Sequence, residues 1–366
     1  MGNPLIIDNW LLQDIGAGLA NGLDRDTASE VVINQAGDAH VIRDVPSAGV
    51  QLEALLSLLV DIVFRDSLII DSSFTDSWDS YGTIFSPLVG SGLIRALPFA
   101  AKDRDIGEAR KYLLGRLCVT STLIEEQRRN EESWAKGLGA ADPYMSAVIW
   151  GTAGMLARSH VFDAPYSGHP LRKRVIEQTI LATPSVDMVK ETVEWINTER
   201  LRLFETRARA ETQRTARLTL PPIVNEIIEE ARDVHQLIPI AYQMRDKYAA
   251  MREWMNTVQA AMDNEDPKAV ARYKKLLSAV SSDIDRAMGN TDAGKVSLTI
   301  SNGWPSISLA LGTIDNIVKK FGMRSMLNKH IFSGHGDKGI KKLLRMFDIE
   351  RTSVGFEAME YMRGKK

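Results

Sequence analysis

Between Val50 and Phe64 the run VQLEALLSLLVDIVF sets Leu52, Leu55, Leu56, Leu59, Ile62 and Val63 at steps of three and four residues. That repeat belongs to an α-helix with one apolar face. Such a stripe has to be covered, so the fold must supply a layer against it. At 366 residues the chain is long enough to do this without disulfide or metal staples, and its 44% hydrophobic and 25% charged residues match ordinary globular proteins. Few aromatics, and much Ala, Leu, Glu, Arg and Met, lean towards helix. The expected fold class is mainly α, a multi-helix bundle with long helices and a few short β-strands.

Local signals fill in that outline. Residues 4–20 read as a short helix and a turn, HVIRDV before Pro46 as a short strand, and 67–70 as a strand. From 81 to 104, Gly and Pro break the pattern into a loop-rich connection with a short apolar helix. A long helix follows to Gly137, with Asp105 as its cap and Glu108 three residues on, as in a capping box. Asp142 and Pro143 open the next helix, whose Gly151 and Gly154 would let another backbone approach closely. Residues 183–218 read as one long helix, stopped by Pro221 and Pro222. Helix resumes from 223 to 288 with a break at DNEDP, and Val296, Leu298 and Ile300 alternate as in a strand. The expected division is 1–104 as a mixed α/β segment, 105–220 as a long-helix region, 221–290 as a helical hairpin, and 291–366 as a small β patch with basic C-terminal helices.

Several function classes drop out. One cysteine, Cys118, excludes an intrachain disulfide framework and a cysteine zinc cluster, and a cytoplasmic setting is the expectation. No run of about eighteen apolar residues stands out, so no transmembrane segment is expected. HExxH, GxxxxGK[ST], a GxGxxG between strand and helix, and a GxSxG elbow are all missing.

The stretch SLIIDSSFTDSWDS, 67–80, ends an apolar strand in an aspartate. It resembles the opening of PIN-type ribonucleases, which set acids at strand ends and helix starts around a divalent metal. Hard oxygen ligands are what Mg²⁺ or Mn²⁺ needs for phosphodiester hydrolysis. Carried over in chain order, the resemblance implies Asp71, Glu108, Asp142 and Asp163 as catalytic acids, with Asp71 and Asp142 on the metal. A solvated loop and helix caps explain the same acids without chemistry.

Charge is segregated. Residues 317–366 carry twelve Lys or Arg against five acids, a local +7, which leaves −9 for the rest of a chain of net charge −2. Lys319, Lys320, Arg324, Lys329, Lys338, Lys341, Lys342 and Arg345 alternate there with apolar residues, the pattern of a segment that docks on a partner or a phosphate backbone. The Arg-rich run TERLRLFETRARAETQRTARL has acids interleaved and reads as a solvated, ion-paired helix. The leading expectation is an intracellular helical scaffold, adaptor or regulatory subunit, without cofactor. It would bind a protein partner or larger assembly, and nucleic acid through the basic C-terminus. The alternative is a metal-dependent PIN-like nuclease using Mg or Mn.

Overall fold

A computed structural model describes residues 4–25, 29–35, 38–45, 47–74, 82–117, 121–138, 149–162, 164, 166–175, 216–220, 223–249, 252–253, 296–300 and 336–362. Helix dominates them, as expected. What organises the helices, however, is a parallel sheet. Strands β1 (Pro4–Ile7), β4 (Ser67–Asp71), β5 (Ile94–Leu97) and β6 (Tyr166–Ser167) lie in the order β5-β4-β1-β6. Every pairing among them is parallel. The chain leaves β1, steps outwards to β4 and β5, then returns to add β6 on the opposite side of β1. That reversal makes a doubly wound sheet whose switch point lies between β1 and β6.

Two antiparallel ribbons stand apart from this sheet: β2 (Ser29–Gln35) with β3 (Asp38–Val45), and β7 (Ala216–Leu220) with β8 (Val296–Ile300). The second corrects one expectation. The end of the Arg-rich run is strand rather than helix, because Leu220 to Ala216 pair in register with the alternating residues Val296 to Ile300. The rest of that run, with the long helix expected over 183–215, lies outside the described residues.

Helix α1 (Asn9–Asn21) follows β1, and the apolar run becomes α2 (Ser47–Phe64). Its expected single apolar face proves too modest: Leu52, Leu55, Leu56, Leu58, Leu59, Ile62 and Val63 are all buried, and so are Gln51, Glu53 and Ser57. Five helices account for this by packing around it: α1, α7 (Pro170–Val175), α8 (Ile223–Glu230), α9 (Leu237–Lys247) and α11 (Ser353–Met362). At about 1.5–3 kcal/mol per fully buried leucine side chain, α2 is the main apolar post of the fold. It is also long and apolar enough to cross a membrane, contrary to the sequence reading, but 89% of it is buried in the protein. It is a core helix.

Two of these buried polar side chains are met individually, whereas the Ser57 hydroxyl is buried without a hydrogen-bond partner among the described residues. Gln51 donates to Asp14 at 3.2 Å and accepts from the Asp24 amide at 2.7 Å. Glu53 accepts from the Tyr361 hydroxyl at 2.5 Å. Gly49 makes room for that tyrosine, since a Cβ there would lie 2.7 Å from its ring.

The remaining helices are α3 (Gly82–Gly90), α4 (Asp103–Leu117), α5 (Ser121–Ala135), α6 (Gly151–Val161) and α10 (Gly336–Met346). Helix α4 begins two residues before Asp105, which pairs with Lys102 at 3.9 Å instead of capping. The single helix expected from residue 223 onward is broken. Asp233 accepts from the His235 amide at 2.9 Å and restarts the chain, and Pro239 falls in the first turn of α9, where its missing N–H costs little. Segments on both sides of the expected boundaries at 104, 220 and 290 feed one buried cluster.

Candidate functional site at the carboxyl edge of the sheet

Open parallel sheets take ligands beyond the carboxyl ends of their strands, at the switch point. Here that place holds Asp8, immediately after β1. The pairing of Pro4 with Ser67, Leu5 with Leu68 and Ile6 with Ile69, carried two residues further, sets Asp8 beside Asp71 on strands about 4.8 Å apart. Both strands end in the same four residues, Leu-Ile-Ile-Asp, at 5–8 and 68–71. A parallel strand buried on both faces reads as such an apolar run.

The two carboxylates are engaged differently. Asp8 is 0% exposed. Its Oδ1 caps α1 by accepting from the Trp10 amide at 3.0 Å and also accepts from Arg172 of α7. Its Oδ2 accepts from the His169 amide at 3.0 Å. Asp71 lies nearer the rim. Its Oδ1 accepts from the Ser73 amide at 3.1 Å, and its Oδ2 from Nε and Nη2 of Arg158 on α6 at 3.4 and 3.3 Å.

The glycines of α6 make this possible. A Cβ on Gly151 would collide with the Arg172 guanidinium, and one on Gly154 would come within 3.2 Å of Arg158 Nη1. The close approach expected at these glycines is therefore made by arginine side chains. Arg110 of α4 joins them, its guanidinium 4.0 Å above the Trp150 ring.

His169 completes the edge. It stacks on Trp10 at 3.8 Å, donates from Nε2 to Asp14 at 3.1 Å, and accepts the Leu171 amide on Nδ1 at 3.3 Å, which fixes the neutral Nε2–H tautomer. Burial holds this imidazole below its ordinary value, although Asp14 and Asp8 pull the other way and Arg172 adds to the lowering. Below about pH 6.5 the unfolded chain therefore takes up a proton that the folded chain refuses. Stability is expected to fall as pH drops from about 6.5 towards the depressed folded value, by up to about 1.4 kcal/mol per pH unit. Urea denaturation across this window should show the slope in wild type and a flatter one in His169→Gln; equal slopes would assign it to other groups.

Of the acids carried over from the nuclease resemblance, only Asp71 is at this edge among the described residues. Glu108 points away on α4, its side chain 70% exposed and paired with Arg104 at 3.2 Å. Asp142 and Asp163 lie outside the described residues, as do Lys319, Lys320, Arg324 and Lys329. In α10, which carries Lys338, Lys341 is exposed, Lys342 donates to the Glu229 carbonyl at 2.8 Å, and Arg345 pairs with Glu350. Leu343, Leu344 and Phe347 belong to the core. They are not a face left open for a partner.

No protein-family model, curated protein or solved structure matches this chain.

Sequence reasoning passed over Asp8, Asp14, Arg158, His169 and Arg172. The repeated Leu-Ile-Ile-Asp was the available signal for the first. Nothing local marks the two arginines, whose partners lie 87 and 164 residues away.

Proposed function

We propose that the chain is a nuclease, acting on phosphodiesters at the carboxyl edge of its sheet around Asp71. One observation carries this reading: the paired strand ends Asp8 and Asp71, side by side at the carboxyl edge of a doubly wound parallel sheet, with Asp8 also bordering the switch point. The PIN-type resemblance adds Asp71 to it, as the acid that ends the apolar strand of SLIIDSS. Asp8, closed in by three donors, is the positioning residue. Asp71 is the acid nearer the rim and the one proposed to act on substrate.

The metal implied by that resemblance is a separate question. Among the described residues no three His, Cys, Asp or Glu side chains gather as a cation site, and the oxygens of both Asp8 and Asp71 already accept from N–H groups. These residues by themselves do not fit Mg²⁺ or Mn²⁺, and no step is derived through a metal.

The test is incubation of the pure chain with labelled RNA and DNA, in EDTA and with Mg²⁺ or Mn²⁺ added. Wild type is expected to cleave, and Asp71→Asn to lose about 100-fold or more, the scale of a lost acid–base group. Cleavage by Asp71→Asn at the wild-type rate would sink the assignment.

The second reading is the intracellular scaffold or adaptor. The saturation of Asp8 favours it, since a carboxylate so fully bonded serves to hold structure together. No cleavage by wild type, with polyanion affinity that falls steeply as salt rises, would turn the argument to that reading.

A further inference from the structure

We infer that Arg158 is the group that receives the substrate phosphate, and that Asp71 occupies its guanidinium until a phosphate displaces it. The inference rests on the proposed nuclease reading and names how that site holds its substrate. It starts from a contrast between two acid–arginine pairs on the same edge. Arg172 meets an aspartate that is 0% exposed, deep between β1 and α7. Arg158 and Asp71 meet at the rim, their side chains 13% and 8% exposed. The first pair, at 8% and 0%, is the more enclosed. The second is partly open to solvent.

The contact between Asp71 and Arg158 falls short of a matched fork. A carboxylate matched to an arginine fork offers two oxygens, at about 2.7–2.9 Å. Here a single oxygen of Asp71 takes both Nε and Nη2, at 3.4 and 3.3 Å, while the other oxygen is turned to the Ser73 amide. A phosphate diester has two charged oxygens spaced for that fork and can accept from both nitrogens at once. The guanidinium would keep its aim during the exchange, because Nη1 donates to the Gly154 carbonyl at 3.2 Å. Gly154 also has the Arg110 stem as a neighbour, 3.7 Å from where a Cβ would stand, so a second guanidinium side chain runs beside the first. Displacement would free the Asp71 carboxylate at the moment substrate arrives.

Fluorescence anisotropy of the full chain with a short labelled single-stranded RNA, read on ice and with the RNA checked intact on a gel after each reading, tests this. Arg158→Gln should weaken binding by roughly tenfold or more, the equivalent of one charge-assisted contact. Arg158→Lys, which keeps the charge and loses the fork, should fall between. Asp71→Asn should bind several-fold more tightly than wild type, because the internal competitor has lost its charge. An Arg158→Gln variant with unchanged affinity and a lowered melting temperature would overturn the inference and leave Arg158 as a structural tie. Should that variant not fold, Arg158→Lys and Asp71→Asn decide: wild-type affinity in both overturns it. Wild type that cleaves RNA with no dependence on Arg158 keeps the nuclease and removes this inference. Arg158-dependent binding without cleavage does the reverse, and absence of binding by wild type overturns the inference outright.

Discussion

Arg172→Met is expected to destabilise the chain by about 3–5 kcal/mol, the range for removing one partner of a buried ion pair. The reason is what stays behind. Asp8 is 0% exposed and cannot turn to water, and its remaining donors are the amides of Trp10 and His169. Methionine replaces most of the arginine stem and loses only the guanidinium that lies over Gly151, so lost packing contributes less than the uncompensated charge. The double variant Asp8→Asn with Arg172→Met should therefore recover a substantial part of the loss, since a neutral amide oxygen can still accept from the two backbone groups. Urea midpoints of wild type and the two variants measure this. A double variant no more stable than Arg172→Met would mean that the guanidinium matters through its packing on Trp10, 5.1 Å from the ring centre, rather than through charge.

Arg245→Leu is the second large effect, and it acts on α2. The last carbonyls of any helix have no partner within it. In α2 they are met by arginines from the far side of the sequence: Arg245 Nη1 donates to the carbonyls of Ile62 and, at 2.7 Å, Arg65, and Arg252 Nη1 to that of Val63 at 3.1 Å. Burial, with Arg252 next in effect, pushes the Arg245 guanidinium down from its ordinary value, so this cap carries a desolvation cost of its own. Each buried carbonyl left without a donor costs about 1–3 kcal/mol, and losing both should cost about 2–6 kcal/mol in all. Native-state hydrogen exchange should show the loss concentrated in the last turns of α2 and in α9. Uniform acceleration over the whole chain would mean that Arg245 supports the fold generally and is not a cap.

The sequence made α2, β4 with Asp71 at its end, and the β8 strand legible, because each carries a periodicity long enough to read. The rest of the sheet was hidden by brevity: β1 and β5 have four residues and β6 two, too few for a period of two to separate from a helical turn. Without β1 the reversal of strand order could not be seen, and Asp8 remained one acid among many. His169 and Arg172 sit in GHPLRKR, which reads as a loop giving way to a helix. Their meaning comes from Asp8 and Asp14, more than 150 residues earlier. The glycines of α6 were noticed for the right reason, the absence of a side chain, but which group would fill the space depends on tertiary placement.

The bond from Tyr361 to Glu53 joins residues 308 positions apart, with the ring seated over Gly49. During synthesis the ribosome delivers α2 long before the helix that closes over it. At about 5–20 residues per second, the polypeptide emerges for roughly 15–60 s with the face of α2 meant for α11 still bare. The nascent chain thus passes through a state in which part of the apolar surface of α2 has no covering helix yet made.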